Sequence, residues 1–155
     1  MSDKIEIRLD DLSGEPIKNL LEIHLKNAAL HSPEEAIFAL DLDALKAPEI
    51  SFWSVWRAEE ILACGAIKIL DKEHAEIKSM HTLEKARGKG IGNQLVNHII
   101  QQARAKNIKR LSLETGTAEA YFPAHRLYKR HGFIECPPFS DYQESIHSLY
   151  MTKLL

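Results

Sequence analysis

Three strand-like runs in the middle of the chain follow one another with only short charged turns between them. In order the runs are "ISFWSVWRA", "EILACGAIKIL" and "HAEIKSMHTL", and the turns contain "EE" and "DKEH". Turns of this length suit hairpins, so the runs predict an antiparallel meander at the centre of a sheet. The rest of the chain must therefore fold around that sheet.

The segment before the meander reads as one strand and two helices. "KIEIRL" alternates apolar and charged residues, which is the pattern of a half-buried strand. A helix opens at Pro16, with apolar residues recurring on one face. Ser32 as N-cap, Pro33 at the first helical position and Glu35 completing a capping box predict the start of a second helix.

The segment after the meander continues the mixed pattern. Apolar residues recur at helical spacing from Ile91 to Ala103, and "RLSLET" follows as a strand. A helix is predicted from Pro123 to Gly132, before the closing strands "FIEC" and "HSLYMTKLL". The order β-α-α-β-β-β-α-β-α-β-β predicts a single α/β domain over residues 1–155. Its mixed, mostly antiparallel sheet has about seven strands and four flanking helices.

The composition favours a soluble, cytoplasmic domain. The chain has 155 residues and is 45% hydrophobic, enough for one core, yet no apolar run approaches the roughly 18 to 20 residues that span a bilayer. The start, "MSDKIEIRLD", has no apolar signal-peptide core. The net charge of −2 argues against a surface that binds nucleic acid. We therefore expect no membrane and no nucleic-acid partner.

Metal ligands are not grouped in the sequence. The eight histidines include no His-Glu-x-x-His motif, and Cys64 and Cys136 are too few and too far apart for a metal knuckle or a disulfide framework. We expect no metal and two reduced thiols. The sequence leaves the oligomeric state open between a monomer and a homodimer.

The stretch "ARGKGIG" places Gly88, Gly90 and Gly92 at alternate positions directly before the third predicted helix. The first amides of a helix have no internal partner, and the helix dipole puts positive potential there. Small residues let a ligand approach these amides, while Arg87 and Lys89 add full positive charge. The stretch therefore predicts a phosphate-binding site, with a simple tight turn and solvated charges as the alternative.

Two common phosphate motifs do not fit this stretch. A P-loop needs Gly-Lys followed by Ser or Thr, but Lys89 is followed by Gly90. A dinucleotide fingerprint, Gly-x-Gly-x-x-Gly, fails because Asn93 or Leu95 occupies the last position. ATP hydrolysis and dinucleotide binding are both disfavoured.

"RGKGIG" resembles the Arg/Gln-x-x-Gly-x-Gly/Ala signature of the GNAT (GCN5-related) N-acetyltransferases. The preceding strand "AEIKSMHTL" and the helix "AHRLYKRHGF" are similar to that family's fourth strand and last helix, in the family's order. "FWSVW", "EIKSM" and "SLETG" further resemble a subgroup of small bacterial acetyltransferases. The resemblance implies a GNAT-like fold and acetyl-CoA as co-substrate, its pyrophosphate on the glycine stretch. The implied cofactor-binding residues are Met80, His81, Thr82, Arg87, Gly88, Lys89, Gly90, Ile91, Gly92 and Asn93.

The resemblance also implies catalytic roles for two side chains. Glu76 matches a strand glutamate that serves as base in some relatives; the alternative is a strand carboxylate paired with Lys78 or Lys68. Tyr128 matches the general acid that protonates the CoA thiolate; the alternative is a tyrosine that packs in the core. His81 is a second candidate base, with an ordinary pKa near neutral pH.

Two further features follow from the resemblance. A strand that splays at a bulge near Met80 to Thr82 would offer backbone amides to the oxyanion of the acyl-transfer intermediate. Many members have Asn where this chain has Tyr121, so a cofactor contact of that Asn is in question.

The predicted function is acetyl-CoA-dependent transfer of an acetyl group to a primary amine of a small molecule, peptide or protein. Two other classes stay open at this point. One is an acyl-CoA-binding sensor on the same fold, and the other is a nucleotide- or nucleic-acid-binding domain that uses the basic loop alone. The presence of both Glu76 and Tyr128 favours the enzyme.

Overall fold

The computed structural model describes residues 4–31 and 42–155, which build one seven-stranded sheet with helices on both faces. The strands are β1 Ile5–Leu9, β2 Ile50–Arg57, β3 Glu60–Ile69, β4 His74–Thr82, β5 Arg110–Gly116, β6 Ile134–Glu135 and β7 Ser148–Leu154. The helices are α1 Glu15–His31, α2 Leu42–Leu45, α3 Ile91–Ala105 and α4 Phe122–Arg130. Short 3-10 turns, Glu84–Ala86 and Glu119–Tyr121, precede α3 and α4.

The sheet order is β1-β2-β3-β4-β5-β7-β6. The predicted meander is confirmed, because β2 pairs antiparallel with β3 and β3 with β4. β4 and β5 are parallel neighbours joined by the crossover through α3, and the other neighbouring strands are antiparallel. The mixed, mostly antiparallel sheet and the predicted order of elements are thus confirmed. The predicted start of the second helix at Ser32 lies outside the described residues.

Two hydrophobic clusters cover opposite faces of the sheet. Adjacent strand residues point to opposite faces, and Phe52 and Trp53 accordingly belong to different clusters. The larger cluster packs β-strand residues against α3 and α4, and the smaller packs them against α1 and α2. The helix α3 was predicted from its apolar spacing, and its periodic residues from Ile91 to Ala103 are buried as expected.

The last helix, α4, begins one residue earlier than predicted, and its last residue is Arg130, two residues before the predicted stop at Gly132. Phe122 is its first residue and Pro123 follows, where the missing amide of proline leaves no helical hydrogen bond unmade. The chain leaves the helix through Gly132 at φ +90, a conformation that glycine adopts without strain. This turn brings Phe133 back beneath Tyr128.

No helix in the described ranges is long and apolar enough to cross a membrane. Within residues 4–31 and 42–155, no group of three or more His, Cys, Asp or Glu side chains is placed to hold a metal ion.

Candidate active site

The glycine stretch forms an open turn at the N-terminus of α3. Gly88 and Gly90 have φ values of +76 and +77, and a Cβ at either position would meet no heavy atom within 4 Å. Gly90 is the N-cap of α3 and has no side chain to bond the first helical amides. These glycines therefore allow both the left-handed turn and close approach to the amides at the helix N-terminus.

Two cations flank this turn. The Arg87 Nε donates to the carbonyl of Thr82 at 3.1 Å, which ties the end of β4 to the loop. Arg87 and Lys89 are both exposed, so their charges are available to a ligand at the helix N-terminus. A diphosphate placed there would meet the helix dipole and two full positive charges together.

The next three residues of the signature have packing roles. Ile91 is buried in the core beneath α3. A Cβ on Gly92 would lie 3.1 Å from Leu127 of α4, so glycine lets the two helices pack here without displacing that side chain. The sequence suggested a different reason, which was access of a ligand to the helix amides. The Asn93 side-chain oxygen lies 3.1 Å from Nε2 of His131, and this contact links the start of α3 to the end of α4.

The strands β4 and β5 separate midway along their length. Within these described strands their pairing runs from His74 with Arg110 to Ile77 with Leu113, while β4 continues to Thr82 and β5 to Gly116. Their far ends therefore border a gap in the sheet. The N-terminus of α3 follows directly after the end of β4, so the glycine turn and this gap are neighbours.

A bulge in β4 coincides with the separation. The β3–β4 register shifts between Cys64 and Ala66, and the β4 residue Ser79 has φ +56. The Cys64 thiol donates to the Ser79 carbonyl at 3.2 Å. Pairing with β3 resumes beyond the bulge, at His81 and Thr82, whereas pairing with β5 ended at Ile77. The stretch from Met80 to Thr82 therefore borders the gap on its β5 side.

Tyr128 lies on α4 and belongs to the larger hydrophobic cluster. It is only 5% exposed, and its ring meets Phe133 edge-on with centroids 5.7 Å apart. Burial, followed by the charge of Glu114, raises the pKa of Tyr128 above its ordinary value. The phenol therefore keeps its proton at neutral pH and can act as a donor.

Glu76 lies on the opposite face of the sheet, in a buried polar group. Its Oε2 accepts hydrogen bonds from the Lys78 ammonium at 3.1 Å and from the Tyr142 hydroxyl at 2.5 Å. The Lys78 ammonium also lies 3.1 Å from that hydroxyl. Burial, reinforced by the Glu76 charge, raises the pKa of Tyr142, so the hydroxyl stays a donor. The carboxylate thus forms the Lys78 ion pair that the sequence suggested as its structural role.

Glu114 joins this group from β5 and was missed in the sequence, where "SLETG" contributed only to the family resemblance. It is one residue beyond the last β4–β5 pair, on the edge of the gap. Burial raises the pKa of Glu114 to about 7; the Ser148 hydroxyl and the Lys78 charge oppose this rise, and the Glu76 charge adds to it. A usable signal was its position two residues after the buried Ser112 on the same strand face.

His81, the second candidate base, is less basic in the folded chain than its ordinary pKa suggested. Burial, and then the charges of His24 and Arg87, lower the pKa of His81 to about 4. Its Nδ1 lies 3.2 Å from Nδ1 of His24, whose ring it meets edge-on. At neutral pH His81 is therefore neutral and weakly basic, and it braces α1 against β4.

Tyr121 occupies the position where many relatives have asparagine. A Cβ on Gly116 would lie 2.2 Å from the Tyr121 ring, so the ring sits directly on the end of β5. Tyr121 also lies in the 3-10 turn just before α4. At this position the chain therefore has an aromatic ring packed on Gly116 in place of a small polar side chain.

A cavity of about 380 Å³ lies beside the bulge, on the α1 and α2 side of the sheet. Its described lining includes Leu21, His24, Leu25, Leu45 and Ser79. Leu25 is 42% exposed and contributes to this lining. The cavity is thus on the sheet face that α1 and α2 cover, whereas the glycine turn begins α3, which packs on the other face.

The sequence matches one protein family and two bacterial proteins over most of its length. The model of the acetyltransferase (GNAT) family matches residues 17–133. The uncharacterized N-acetyltransferase YsnE of Bacillus subtilis is 46% identical over 151 residues, which cover 97% of this chain and all of that protein. The uncharacterized N-acetyltransferase YedL of Escherichia coli is 39% identical, covering 96% of this chain and 94% of its own.

A third relative and two solved structures extend the comparison. The IAA acetyltransferase of Azospirillum brasilense is 39% identical over 125 residues, or 79% of this chain and 80% of that protein. A solved structure from Klebsiella pneumoniae superposes with a TM-score of 0.85 at 23% identity, covering 99% of both chains. A GNAT family acetyltransferase from Elizabethkingia anophelis with acetyl-CoA bound superposes with a TM-score of 0.72 at 23% identity, covering 99% of this chain and 100% of its own.

Proposed function

Because the chain belongs to the GNAT family of acetyltransferases, we propose that it transfers the acetyl group of acetyl-CoA to a primary amine by direct attack on the thioester. The observation that carries the proposal is the pair of open, left-handed glycines, Gly88 and Gly90, which alternate with the exposed Arg87 and Lys89 at the start of α3. This anion site lies next to the gap between β4 and β5, where a thioester attached to a bound diphosphate could reach both faces of the sheet.

In the proposed complex the diphosphate of acetyl-CoA lies on residues 87–92, and its acyl arm runs into the gap. The proposed contacts are those that the family resemblance implies: Met80, His81, Thr82, Arg87, Gly88, Lys89, Gly90, Ile91, Gly92 and Asn93. Ile91 would contribute its backbone, since its side chain is buried. The acetyl-CoA bound to the Elizabethkingia neighbour supports this choice of co-substrate.

The proposed chemistry has three requirements, which are a deprotonated amine, support for the oxyanion and a proton for the thiolate. Backbone amides in the stretch from Met80 to Thr82, where β4 no longer pairs with β5, are proposed to support the oxyanion. Tyr128 is proposed to protonate the thiolate. Glu76 remains in the proposed site, where its carboxylate can act as the base itself or can hold Lys78 and Tyr142 in place.

Replacing Tyr128 with phenylalanine should lower kcat by about 10-fold or more, since general acid catalysis commonly contributes 10²–10⁴ and a thiolate needs less help than most leaving groups. The ring stays buried against Phe133, so acetyl-CoA should bind with the wild-type Kd. Steady-state turnover and calorimetric titration measure the two quantities. A variant with the wild-type kcat would remove Tyr128 from the mechanism.

The function itself is tested by ligand stabilisation followed by turnover. Acetyl-CoA and CoA should raise the Tm, whereas ATP and NAD should not. Free thiol should then appear with at least one acceptor from a panel of phenethylamine, tryptamine, lysine amide, a lysine peptide and a polyamine. IAA is included because one relative is named for it. Stabilisation by acetyl-CoA without turnover on any acceptor would favour the sensor over the enzyme.

A further inference from the structure

The carboxylates of Glu76 and Glu114 and the ammonium of Lys78 form one electrostatically coupled group beside the gap. Lys78 forms its ion pair with Glu76, and both side chains are nearly inaccessible, at 8% and 5% exposure. Glu114 faces the same group from β5, and its carboxylate is influenced by the charges of both residues. Since Lys78 is bonded to Glu76, Glu114 is the carboxylate whose negative charge is less well compensated.

The position of Glu114 suits a reactive role. Ile77 and Leu113 form the last pair between β4 and β5, and Glu114 is the next residue along β5. Leu113 points into the core beneath α3, so Glu114 points to the opposite face. The Ser148 hydroxyl is buried near the Glu114 carboxylate without completing a hydrogen bond among the described residues.

Glu114 and Tyr128 come from opposite faces of the sheet. Tyr128 lies on α4 in the larger cluster, and Glu114 is the first residue of β5 beyond the last pair with β4. The charge of Glu114 also helps to raise the pKa of the Tyr128 phenol, so the two groups are electrostatically coupled. A direct attack needs one group that takes a proton and one that gives a proton, and this pair can supply both.

We propose that Glu114 is the catalytic base, which accepts the proton lost by the acceptor amine as it attacks the thioester. The inference rests on the proposed function and deepens it. The amine nitrogen bonds to the acetyl carbon and the carbonyl electron pair moves to oxygen. As that pair returns, the carbon–sulfur bond breaks. Glu114 takes the proton from nitrogen, and Tyr128 gives its proton to the thiolate.

The proton balance closes between these two residues. Protonated Glu114 returns its proton to the Tyr128 phenolate, so a neutral amine and acetyl-CoA yield an amide and CoA thiol with no net proton change. The route needs no group beyond those at the gap. It gives Glu76 a separate role, as the partner of Lys78 and Tyr142 and as a neighbouring negative charge.

The titration of Glu114 is set by groups from four elements around it. They are Glu76 and Lys78 on β4, Tyr128 on α4, Tyr142 in the loop before β7, and Tyr150 with Ser148 on β7. Burial places the pKa of Glu114 near 7, so kcat/KM should rise with pH through neutrality as the carboxylate ionises. The same carboxylate favours the folded state below its unfolded pKa, and this advantage is lost as pH rises through about 7.

The test compares the wild type with Glu114→Gln and with the control Glu135→Gln. Glu135 is an exposed glutamate on β6, at the edge of the sheet. Turnover is measured from pH 5.5 to 9.5 with acetyl-CoA and the fastest amine of the panel. At pH 8, Glu114→Gln should lose about 100-fold in kcat/KM and should lack the rise near neutrality, while Glu135→Gln matches the wild type. The Kd of acetyl-CoA should be unchanged in both variants.

A second readout does not depend on turnover. The Tm of Glu114→Gln should gain on that of the wild type as pH rises from 5 to 8, because only the wild type ionises a half-buried carboxylate. A rate or pH profile like that of the wild type, or a Tm difference that does not vary with pH, would overturn the role of Glu114 and leave the proposed function intact. A wild type that binds acetyl-CoA but acetylates no acceptor would overturn the proposed function, and the inference with it.

Discussion

Replacing Gly90 by aspartate should weaken acetyl-CoA binding by about 100-fold while the fold is retained. Aspartate is among the few residues that tolerate a positive φ, and a Cβ at position 90 meets no heavy atom within 4 Å. A side chain at φ +77 is strained, but the same residue can cap the first amides of α3, which offsets part of that strain. Its carboxylate would stand roughly 6 Å from the proposed diphosphate, where repulsion between unit charges is about 3 kcal/mol at an effective dielectric constant of 20.

The matched control for this variant is Gly90→Asn, which has the same shape, also tolerates φ +77 and carries no charge. We expect its Kd to lie between those of the wild type and the aspartate variant, since bulk alone still hinders the approach of the ligand. Calorimetric titration with acetyl-CoA at two salt concentrations separates the charge from the bulk, because salt screens only the former. Equal Kd values for the two variants would show that the diphosphate does not bind at the Gly90 turn.

Replacing Phe133 by alanine should lower the free energy of unfolding by about 3–5 kcal/mol, the usual cost of emptying a buried phenylalanine site. Phe133 is 2% exposed and packs between the sheet and α4 in the larger cluster. It also supports the ring of Tyr128, so the variant should lose kcat in addition to stability. Urea denaturation and steady-state turnover measure the two effects.

The control for the phenylalanine prediction is Phe122→Ala, at the first residue of α4, where the side chain is 45% exposed. Its loss of stability should be about 1 kcal/mol or less, because little apolar surface is buried there. If the two alanine variants unfolded at the same urea concentration, the packing assigned to Phe133 would be wrong.

The features predicted well from the sequence are those that depend on local chemistry. The glycine turn at residues 88–92 and the helix after it are set by a helix start and by apolar spacing within a few residues. The meander was predictable because two short turns leave little choice of pairing. The end of α4 followed from Gly132, whose positive φ needs no distant partner.

The features that could not be predicted depend on residues distant in the chain. The bulge at Ser79 forces a serine to φ +56 opposite Gly65, and no turn residue announces it. Tyr142 reaches Glu76 across 66 positions, so their hydrogen bond exists only once β7 and the loop before it have folded onto β4. The raised pKa of Glu114 likewise comes from burial, which composition and spacing do not reveal.

His81 shows how the same limit misleads a prediction. Its ordinary pKa suggested a base, but the pKa in the folded chain depends on its burial and on His24 of α1, 57 positions away. Gly92 shows a milder case, since its lack of a side chain serves the contact with Leu127 of α4. In both, the residue type was informative and the reason lay in the tertiary structure.

The proposed function depends on amides at the start of α3 that bind the diphosphate of acetyl-CoA. Two-dimensional NMR of the ¹⁵N-labelled chain during titration with acetyl-CoA follows these amides one by one. We expect the amide signals of Gly88, Gly90 and Gly92 to move downfield as they donate to phosphate oxygens, in proportion to the bound fraction. Saturation of the protein with those three signals unmoved, and with shifts confined to other segments, would contradict it.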